Sequence, residues 1–120
     1  MKGLLALDKA HLIADLALEI KGEDIIIIDT KENSSIADFI ILISANSSRK
    51  LKAVADNIQK KLSKKKIKSL NIQGTGQANW MILDYEDVIV HIFHKDTRKF
   101  YDIEQLWSSA IIKEIKEDVR

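Results

Sequence analysis

The chain has 120 residues, of which 46% are hydrophobic and 31% charged, values typical of one globular domain over residues 1–120. It contains no cysteine, which excludes disulfides, thiolate zinc sites, iron–sulfur clusters and cysteine nucleophiles. The longest apolar run, residues 39–43, is far shorter than the ~20 residues that span a bilayer. The apolar stretch after Met1 is too short for a signal peptide. We therefore expect a cytoplasmic protein with no membrane span and no cofactor.

The net charge of +1 conceals an uneven distribution of charge along the chain. Residues 49–68 contain nine basic side chains and one acid, Asp56, and therefore carry +8. The other ten basic and seventeen acidic residues carry −7. Such an asymmetry indicates one basic face with acidic surroundings, and it favours a charged partner.

The first predicted elements are a helix and two strands. Apolar residues recur every three or four positions over residues 9–21, which predicts a helix with Asp8 as its N-cap and Gly22 as its stop. Two β-branched runs follow at residues 25–28 and 37–44, separated by a polar turn. Their short connection predicts an antiparallel pair.

The basic residues lie mainly on a second predicted helix. Ser47 or Ser48 can cap it, and its apolar residues form one stripe with the lysines on the opposite face. The stripe consists of Leu51, Val54, Ala55, Ile58 and Leu62. Residues 67–72 are a weaker strand prediction, because polar residues interrupt the apolar ones in alternation.

The remaining chain predicts a hairpin and a third helix. Apolar runs at residues 80–83 and 88–93 flank a four-residue turn, and the second run is apolar enough to predict cover on both faces of a sheet. Asp102 and Gln105 match a capping box, which predicts a helix. Its apolar residues are Leu106, Trp107, Ala110, Ile111 and Ile115. The order α-β-β-α-β-β-β-α predicts an α/β (α+β) fold with a single mixed five-stranded sheet flanked by helices.

The candidate metal and phosphate sites are weak. Residues 74–76 form a Gly-x-Gly that lacks the third glycine, the lysine and the following helix of a phosphate-binding loop. His91 and His94, with Asp96, resemble a metal-ligand cluster. On a strand, however, the two imidazoles point to opposite faces, so we favour a structural, partly buried His91.

Catalytic groups are equally weak. Asp29 and Asp38, at the first strand pair, could support metal-assisted phosphoryl or nucleotidyl transfer. No Asp-x-Asp motif accompanies them, and an Asp at a strand boundary is more often a turn former. Ser44, Ser47 and Ser48 lack the glycines of a nucleophile elbow, so capping is favoured. The sequence therefore predicts no active site.

The hairpin turn combines aromatic rings with concentrated negative charge. Trp80 and Tyr85 flank or occupy a turn that contains Asp84, Glu86 and Asp87. If the rings lie at the surface, they are anchors of the type that dominates interfaces, and the acids steer a basic partner. The alternative is that Trp80 belongs to the core and the acids solvate the turn. Composition supports both interpretations about equally.

Several motifs occur in a specific order along the chain. They are Ser35-Ile36-Ala37-Asp38, Asn46-Ser47-Ser48-Arg49, Trp80 with Asp84, Asp87-Val88-Ile89-Val90-His91 and Phe100-Tyr101-Asp102. Over about residues 8–107 this order resembles the ribosomal silencing factor family, RsfS, also called Iojap. Ala45 stands where a glycine is common and Lys95 where many members have proline. Neither departure removes a residue on which the implied activity depends.

The resemblance implies a nucleotidyltransferase-like fold without enzyme activity. It implies binding to the large (50S) ribosomal subunit through its ribosomal protein fourteen, which sterically blocks joining of the small (30S) subunit and represses translation under nutrient limitation. Ribosomal proteins are generally basic, which fits the acidic and aromatic hairpin. The partner-binding residues expected on this basis are Trp80, Met81, Asp84, Tyr85, Glu86 and Asp87.

Two other functions remain open from the sequence. The first is an RNA-binding ribosome-assembly factor that contacts ribosomal RNA through the lysine-rich helix, although no aromatic residues are interleaved for base stacking. The residues for that contact are Lys60, Lys61, Lys64 and Lys65. The second is a nucleotidyl transferase that uses Asp29 and Asp38, which the implied fold alone motivates. The sequence also leaves open whether the free protein is a monomer or a homodimer.

Overall fold

The computed structural model describes residues 5–30, 37–74, 79–97 and, by their backbone, 111–115. The helices are α1 (Ala6–Glu19) and α2 (Ser48–Lys64). The strands are β1 (Glu23–Asp29), β2 (Phe39–Ala45), β3 (Asn71–Gln73), β4 (Trp80–Asp84), β5 (Val88–His94) and β6 (Ile111–Ile115). They form one sheet in the order β3-β4-β5-β2-β1-β6, with β2 and β5 parallel and the other described neighbours antiparallel. The predicted mixed α+β fold is confirmed.

Strand β6 corrects the prediction for the C-terminal segment. The five predicted strands are all present, but Ile111 and Ile115, expected in a helix, belong to a sixth strand paired with β1. The four-residue spacing of these isoleucines fits a helix, whereas β-branched side chains favour strands and β1 offers an edge for pairing. The predicted capping box, Asp102 and Gln105, and the other predicted helix residues, Leu106, Trp107 and Ala110, lie outside the described residues.

Helix α1 begins before its predicted N-cap. Leu5 occupies the N-cap position and makes no side-chain hydrogen bond there. Asp8 lies in the first turn, where its negative charge interacts favourably with the positive end of the helix dipole. The capping role assigned to Asp8 is therefore wrong. At the other end Lys21 adopts the left-handed conformation, with φ 64°, and the Gly22 N–H donates to the Ala17 carbonyl at 2.9 Å.

Helix α2 matches its prediction closely. The Ser47 hydroxyl accepts a hydrogen bond from the Lys50 N–H at 3.0 Å, which confirms Ser47 as the cap. The predicted apolar stripe is fully buried. The Asn57 side-chain amide donates to the Leu16 carbonyl at 2.8 Å and so joins α2 to α1. Neither described helix is long and apolar enough to cross a membrane.

The sheet has two faces with different surroundings. Both helices pack on the inner face, where alternate strand residues join them in the larger core. Ile26, Ile28, Ile40, Leu42 and Phe93 form a second buried cluster on the outer face. Strand β2, at the centre, is buried at every position. Residues 88–93 were expected to be covered on both faces, but positions 89 and 91 of the outer face are only half-buried, so that prediction is correct only in part.

The predicted strand at residues 67–72 is reduced to β3, which reaches β4 through a tight approach at Gly74. This residue has φ 93°, and a Cβ placed there would lie 2.5 Å from the Trp80 carbonyl oxygen. Only glycine fits such a contact without a backbone shift. The close backbone contact explains why position 74 is a glycine without any bound phosphate. Thr75 and Gly76 lie outside the described residues.

Candidate functional site

The turn between β4 and β5 is held by its own backbone and one side chain. The Asp84 carboxylate accepts a hydrogen bond from the Glu86 N–H at 2.8 Å, and the Tyr85 N–H donates to the Val88 carbonyl at 2.9 Å. Glu86 takes the left-handed conformation, with φ 75°, and its side chain is exposed. The predicted hairpin is confirmed, and its turn places Glu86 at the outermost position.

Two of the predicted partner-binding residues lie inside the protein. Met81 is 6% exposed and Tyr85 3% exposed, and both belong to the core beneath the helices. Side chains alternate along a strand, so residues 81, 83 and 85 share the inner face. Burial also raises the pKa of the Tyr85 hydroxyl to about 12. The interpretation of Tyr85 as an exposed aromatic anchor is therefore wrong.

Trp80 lies on the outer face in an aromatic cluster with His91 and Phe93. Its ring centroid is 4.8 Å from that of Phe93, and its indole N–H donates to His91 Nδ1 at 3.0 Å. The His91 and Phe93 rings are stacked at 5.8 Å. Phe93 is buried whereas Trp80 is partly exposed, so the cluster connects the interior with the surface.

His91 is the polar member of this cluster. Burial lowers its pKa from 6.5 to about 4, so the imidazole is neutral near pH 7 and Nδ1 can accept the indole proton. His94 instead lies near Asp96, whose N–H donates to the His94 imidazole at 3.2 Å. The two histidines diverge, and the structural role predicted for His91 is confirmed. Among the described residues, no three potential ligands are close enough to hold a metal ion.

The outer face of the hairpin contains two apolar residues that the sequence analysis did not select. The strand register pairs Ile82 with His91 and Asp84 with Ile89, so all four lie beside Trp80 on one face. Ile82 and Ile89 are half-buried. We call Trp80, Ile82, Asp84, Ile89 and His91 the outer hairpin surface. Because side chains alternate along β4, assigning Leu83 to the core places Trp80, Ile82 and Asp84 on the outer hairpin surface.

The three acids of the turn differ in their electrostatic surroundings. Asp87 forms an ion pair with Lys9 of α1 at 2.7 Å, and these side chains are 32% and 14% exposed. Asp84 accepts the hydrogen bond of the turn. Within the described part of the chain, no cation contacts Glu86. The negative charge available to a partner is therefore carried mainly by Glu86 and Asp84.

The predicted basic residues lie along one exposed side of α2. Lys60, Lys61, Lys64 and Lys65 are all exposed, and the last three lie at the C-terminal end of the helix. Positive charge is favourable there because the helix dipole is negative at that end. None of the four forms an ion pair within the described residues. The structure thus leaves these charges available to solvent or to an anion.

The carboxylates proposed for catalysis lie at one end of the β1–β2 pair. Asp29 is opposite Phe39 in the strand register, next to Asp38. The Thr30 N–H donates to the Asp38 carbonyl at 2.9 Å, and the Thr30 hydroxyl bonds the Ala37 carbonyl at 2.8 Å. These contacts join the ends of β1 and β2 through Thr30 and the backbone of residues 37 and 38, and neither of them involves a carboxylate.

Comparison with known proteins yields one family. Residues 5–120 match the model of the family described as "Ribosomal silencing factor during starvation". The ribosomal silencing factor RsfS of Halalkalibacterium halodurans is 35% identical over 96 residues, which are 80% of this chain and 82% of the relative. A crystal structure of a Chromobacterium violaceum protein is 32% identical with a TM-score of 0.83, and the match covers 88% of each chain. A more distant mouse relative, 24% identical over 81% of this chain and 44% of its own length, is named mitochondrial assembly of ribosomal large subunit protein 1.

Proposed function

Because this chain belongs to the RsfS family of ribosomal silencing factors, we propose that it binds ribosomal protein fourteen of the large subunit and thereby blocks joining of the small subunit. Membership of this family implies association with the ribosome and a role in regulating translation. The mouse relative's name, which refers to the large ribosomal subunit, supports that choice of subunit. In this proposal the protein works in the cytoplasm by binding alone and represses translation under nutrient limitation.

The observation that carries the proposal is the partly exposed Trp80 on the outer hairpin surface. The indole is fixed by its hydrogen bond to His91 and by contact with Phe93, so little side-chain freedom remains to be lost on binding. Half-buried Ile82 and Ile89 extend the apolar area around it. A fixed aromatic ring surrounded by apolar contacts is typical of the residues that dominate binding energy.

The charges at the turn support a basic partner. Glu86 is exposed and Asp84 lies on the outer hairpin surface, whereas Asp87 is partly neutralised by Lys9. Negative charges at the rim of an apolar surface raise the rate of encounter with a positive partner more than the final affinity. We expect Glu86 to contribute to association rate and Trp80 to residence time.

The central test replaces Trp80 and measures binding to isolated large subunits by co-sedimentation. Trp80→Ala is expected to weaken binding by ~2 kcal/mol, or about thirtyfold, because the anchoring ring is lost. Leu7→Ala removes an exposed apolar side chain, 44% exposed, from α1 and is the matched control with unchanged affinity. Trp80→Phe keeps the contact with Phe93 and checks that the loss does not come from unfolding.

Equal affinity of wild type and Trp80→Ala would remove the outer hairpin surface from the proposal. Sucrose-gradient sedimentation of mixed subunits then tests the mechanism itself. The proposal expects free subunits, with the protein on the large one. Protein bound to intact joined ribosomes would contradict steric occlusion while leaving the binding site in place.

A second candidate function is a contact between α2 and ribosomal RNA. The four lysines at positions 60, 61, 64 and 65 are exposed and lack ion pairs within the described chain, so they can neutralise phosphates. Replacing all four by Gln is expected to weaken subunit binding and reduce its salt dependence. An unchanged salt dependence would exclude the contact and leave the protein-mediated interaction as the complete explanation.

A further inference from the structure

A cleft of about 560 Å³ lies between α2 and the segment that follows it, away from the outer hairpin surface. Its volume is within the range of pockets that take small molecules, roughly 300–1,000 Å³. The polar and charged residues that line it include Asp56, Lys60, Ser63, Lys68, Ser69 and Tyr85. Neither the proposed contact with ribosomal protein fourteen nor packing in the core explains why these polar and charged residues line one cleft.

The charge of the cleft is effectively positive. Asp56 is its acidic residue, and its carboxylate is paired with Lys52 at 3.0 Å. Lys60 and Lys68 are exposed and have no ion-pair partner among the described residues. Two lysines without ion-pair partners and two serines line the same cleft, and an oxyanion accepts hydrogen bonds from both kinds of donor.

Tyr85 supplies a second, independent observation. The residue is 3% exposed and forms part of the cleft wall, yet its hydroxyl has no hydrogen-bond partner within the described residues. Buried hydroxyl groups nearly always have a partner, because leaving one unsatisfied costs free energy. Burial raises the pKa of this hydroxyl to about 12, so the group is protonated near pH 7 and can donate a hydrogen bond to an anion.

We infer that this cleft binds the phosphate group of a small phosphomonoester, with Tyr85, Lys60 and Lys68 as the principal donors. The cleft is open to solvent, but its limited volume and the buried Tyr85 donor favour a small ligand, and Tyr85 can reach only a group that enters the cleft. The exposed side of α2 at Lys61 and Lys64 remains separate from the cleft lining. Among the described residues, the cleft shares Lys60 with the second candidate function, the RNA contact of α2, and shares none with the outer hairpin surface, so the inference does not depend on the proposed contact with ribosomal protein fourteen.

The test is an NMR titration of the full chain with inorganic phosphate and with AMP as phosphomonoester probes. AMP is expected to saturate, and adenosine, which lacks the phosphate, is not. Tyr85→Phe keeps the buried ring and removes only the hydroxyl, so the fold is expected to remain intact. It is expected to weaken AMP binding about tenfold, the equivalent of one hydrogen bond to a charged group.

The charge variants form a matched pair. Lys60→Gln with Lys68→Gln removes two charges from the cleft and is expected to reduce AMP affinity about tenfold or more. Lys61→Gln with Lys64→Gln removes two charges from the exposed side of α2 and is expected to change it less than about twofold. Equal losses in both pairs would overturn the inference, because binding would then follow net charge.

Two further outcomes would also overturn it. One is that neither phosphate nor AMP shows saturable binding. The other is saturation by a six-nucleotide RNA alone, which would assign the positive charge to an RNA surface. None of these measurements uses ribosomes, so failure here and failure of the proposed silencing function are distinguishable.

Discussion

Strands β4 and β5 present one set of side chains to the helices and the alternate set to the outer face, and the two sets differ in burial. On the inner face, Leu83 and Val90 are fully buried. On the outer face, Ile82, Ile89 and Trp80 remain partly exposed. The inner set stabilises the fold, whereas the outer set, apart from the buried Phe93, remains partly exposed at the surface. Because side chains alternate along each strand, one short hairpin can present a buried set to the core and a partly exposed set to the surface.

The largest expected effect tests this separation with two neighbouring residues. Leu83→Ala is expected to reduce the free energy of unfolding by about 3 kcal/mol, because it removes buried methyl groups and leaves a cavity. Ile82→Ala, on the half-buried outer face, is expected to cost only about 1 kcal/mol. Urea unfolding of both variants measures the difference. Similar losses would mean that the two faces contribute equally to stability.

The next effect concerns the pH dependence contributed by His91. Its pKa in the folded protein is about 4, below the unfolded value of 6.5, so the unfolded state binds the proton more strongly. The stabilisation is present above pH 6.5 and is lost as the pH falls toward 4, by roughly 3 kcal/mol in total. Urea unfolding at a series of pH values measures this loss.

Two variants isolate the His91 contribution. His91→Gln keeps an acceptor for the indole and is expected to remove that part of the pH dependence. His94→Gln removes a histidine at the end of the same strand and is expected to retain it, since His91 is still present. If the free energy of unfolding of His91→Gln had the same pH dependence as that of wild type, the loss of stability at low pH would arise from other groups.

The smallest effect concerns the contact between α1 and the hairpin turn. Lys9→Met keeps the alkyl chain but breaks the ion pair with Asp87, and is expected to cost about 1 kcal/mol of unfolding free energy. Lys52→Met breaks the more exposed pair with Asp56 and is expected to cost less than about 0.5 kcal/mol. Thermal unfolding in low and high salt compares them. A larger loss from Lys52→Met would contradict the order that burial predicts.

Local patterns in the sequence predicted much of this structure. The stripe of α2 and its Ser47 cap follow from helical spacing, and the hairpin follows from two apolar runs around a polar turn. These features depend on residues close together in the chain. The family resemblance was likewise confirmed, because its motifs keep a specific order over most of the chain.

Long-range features were harder to predict. The spacing of Ile111 and Ile115 fits a helix, and only pairing with β1 makes that segment a strand. Tyr85 lies in an acidic turn, and its burial depends on the inward direction set by β4 and on the helices above it. The partner of Asp87 is Lys9, which lies far away in sequence. None of these contacts can be read from spacing alone.

Strand β6 also has a consequence for synthesis of the chain. Strand β1 is among the first described elements to be made, and one of its neighbours in the sheet, β6, is the last. Until residues 111–115 leave the ribosome, the backbone of β1 on that side has no strand partner in the described sheet. Unpaired strand edges are where nascent chains associate wrongly. This edge of β1 is therefore open to wrong association until residues 111–115 are available to pair with it.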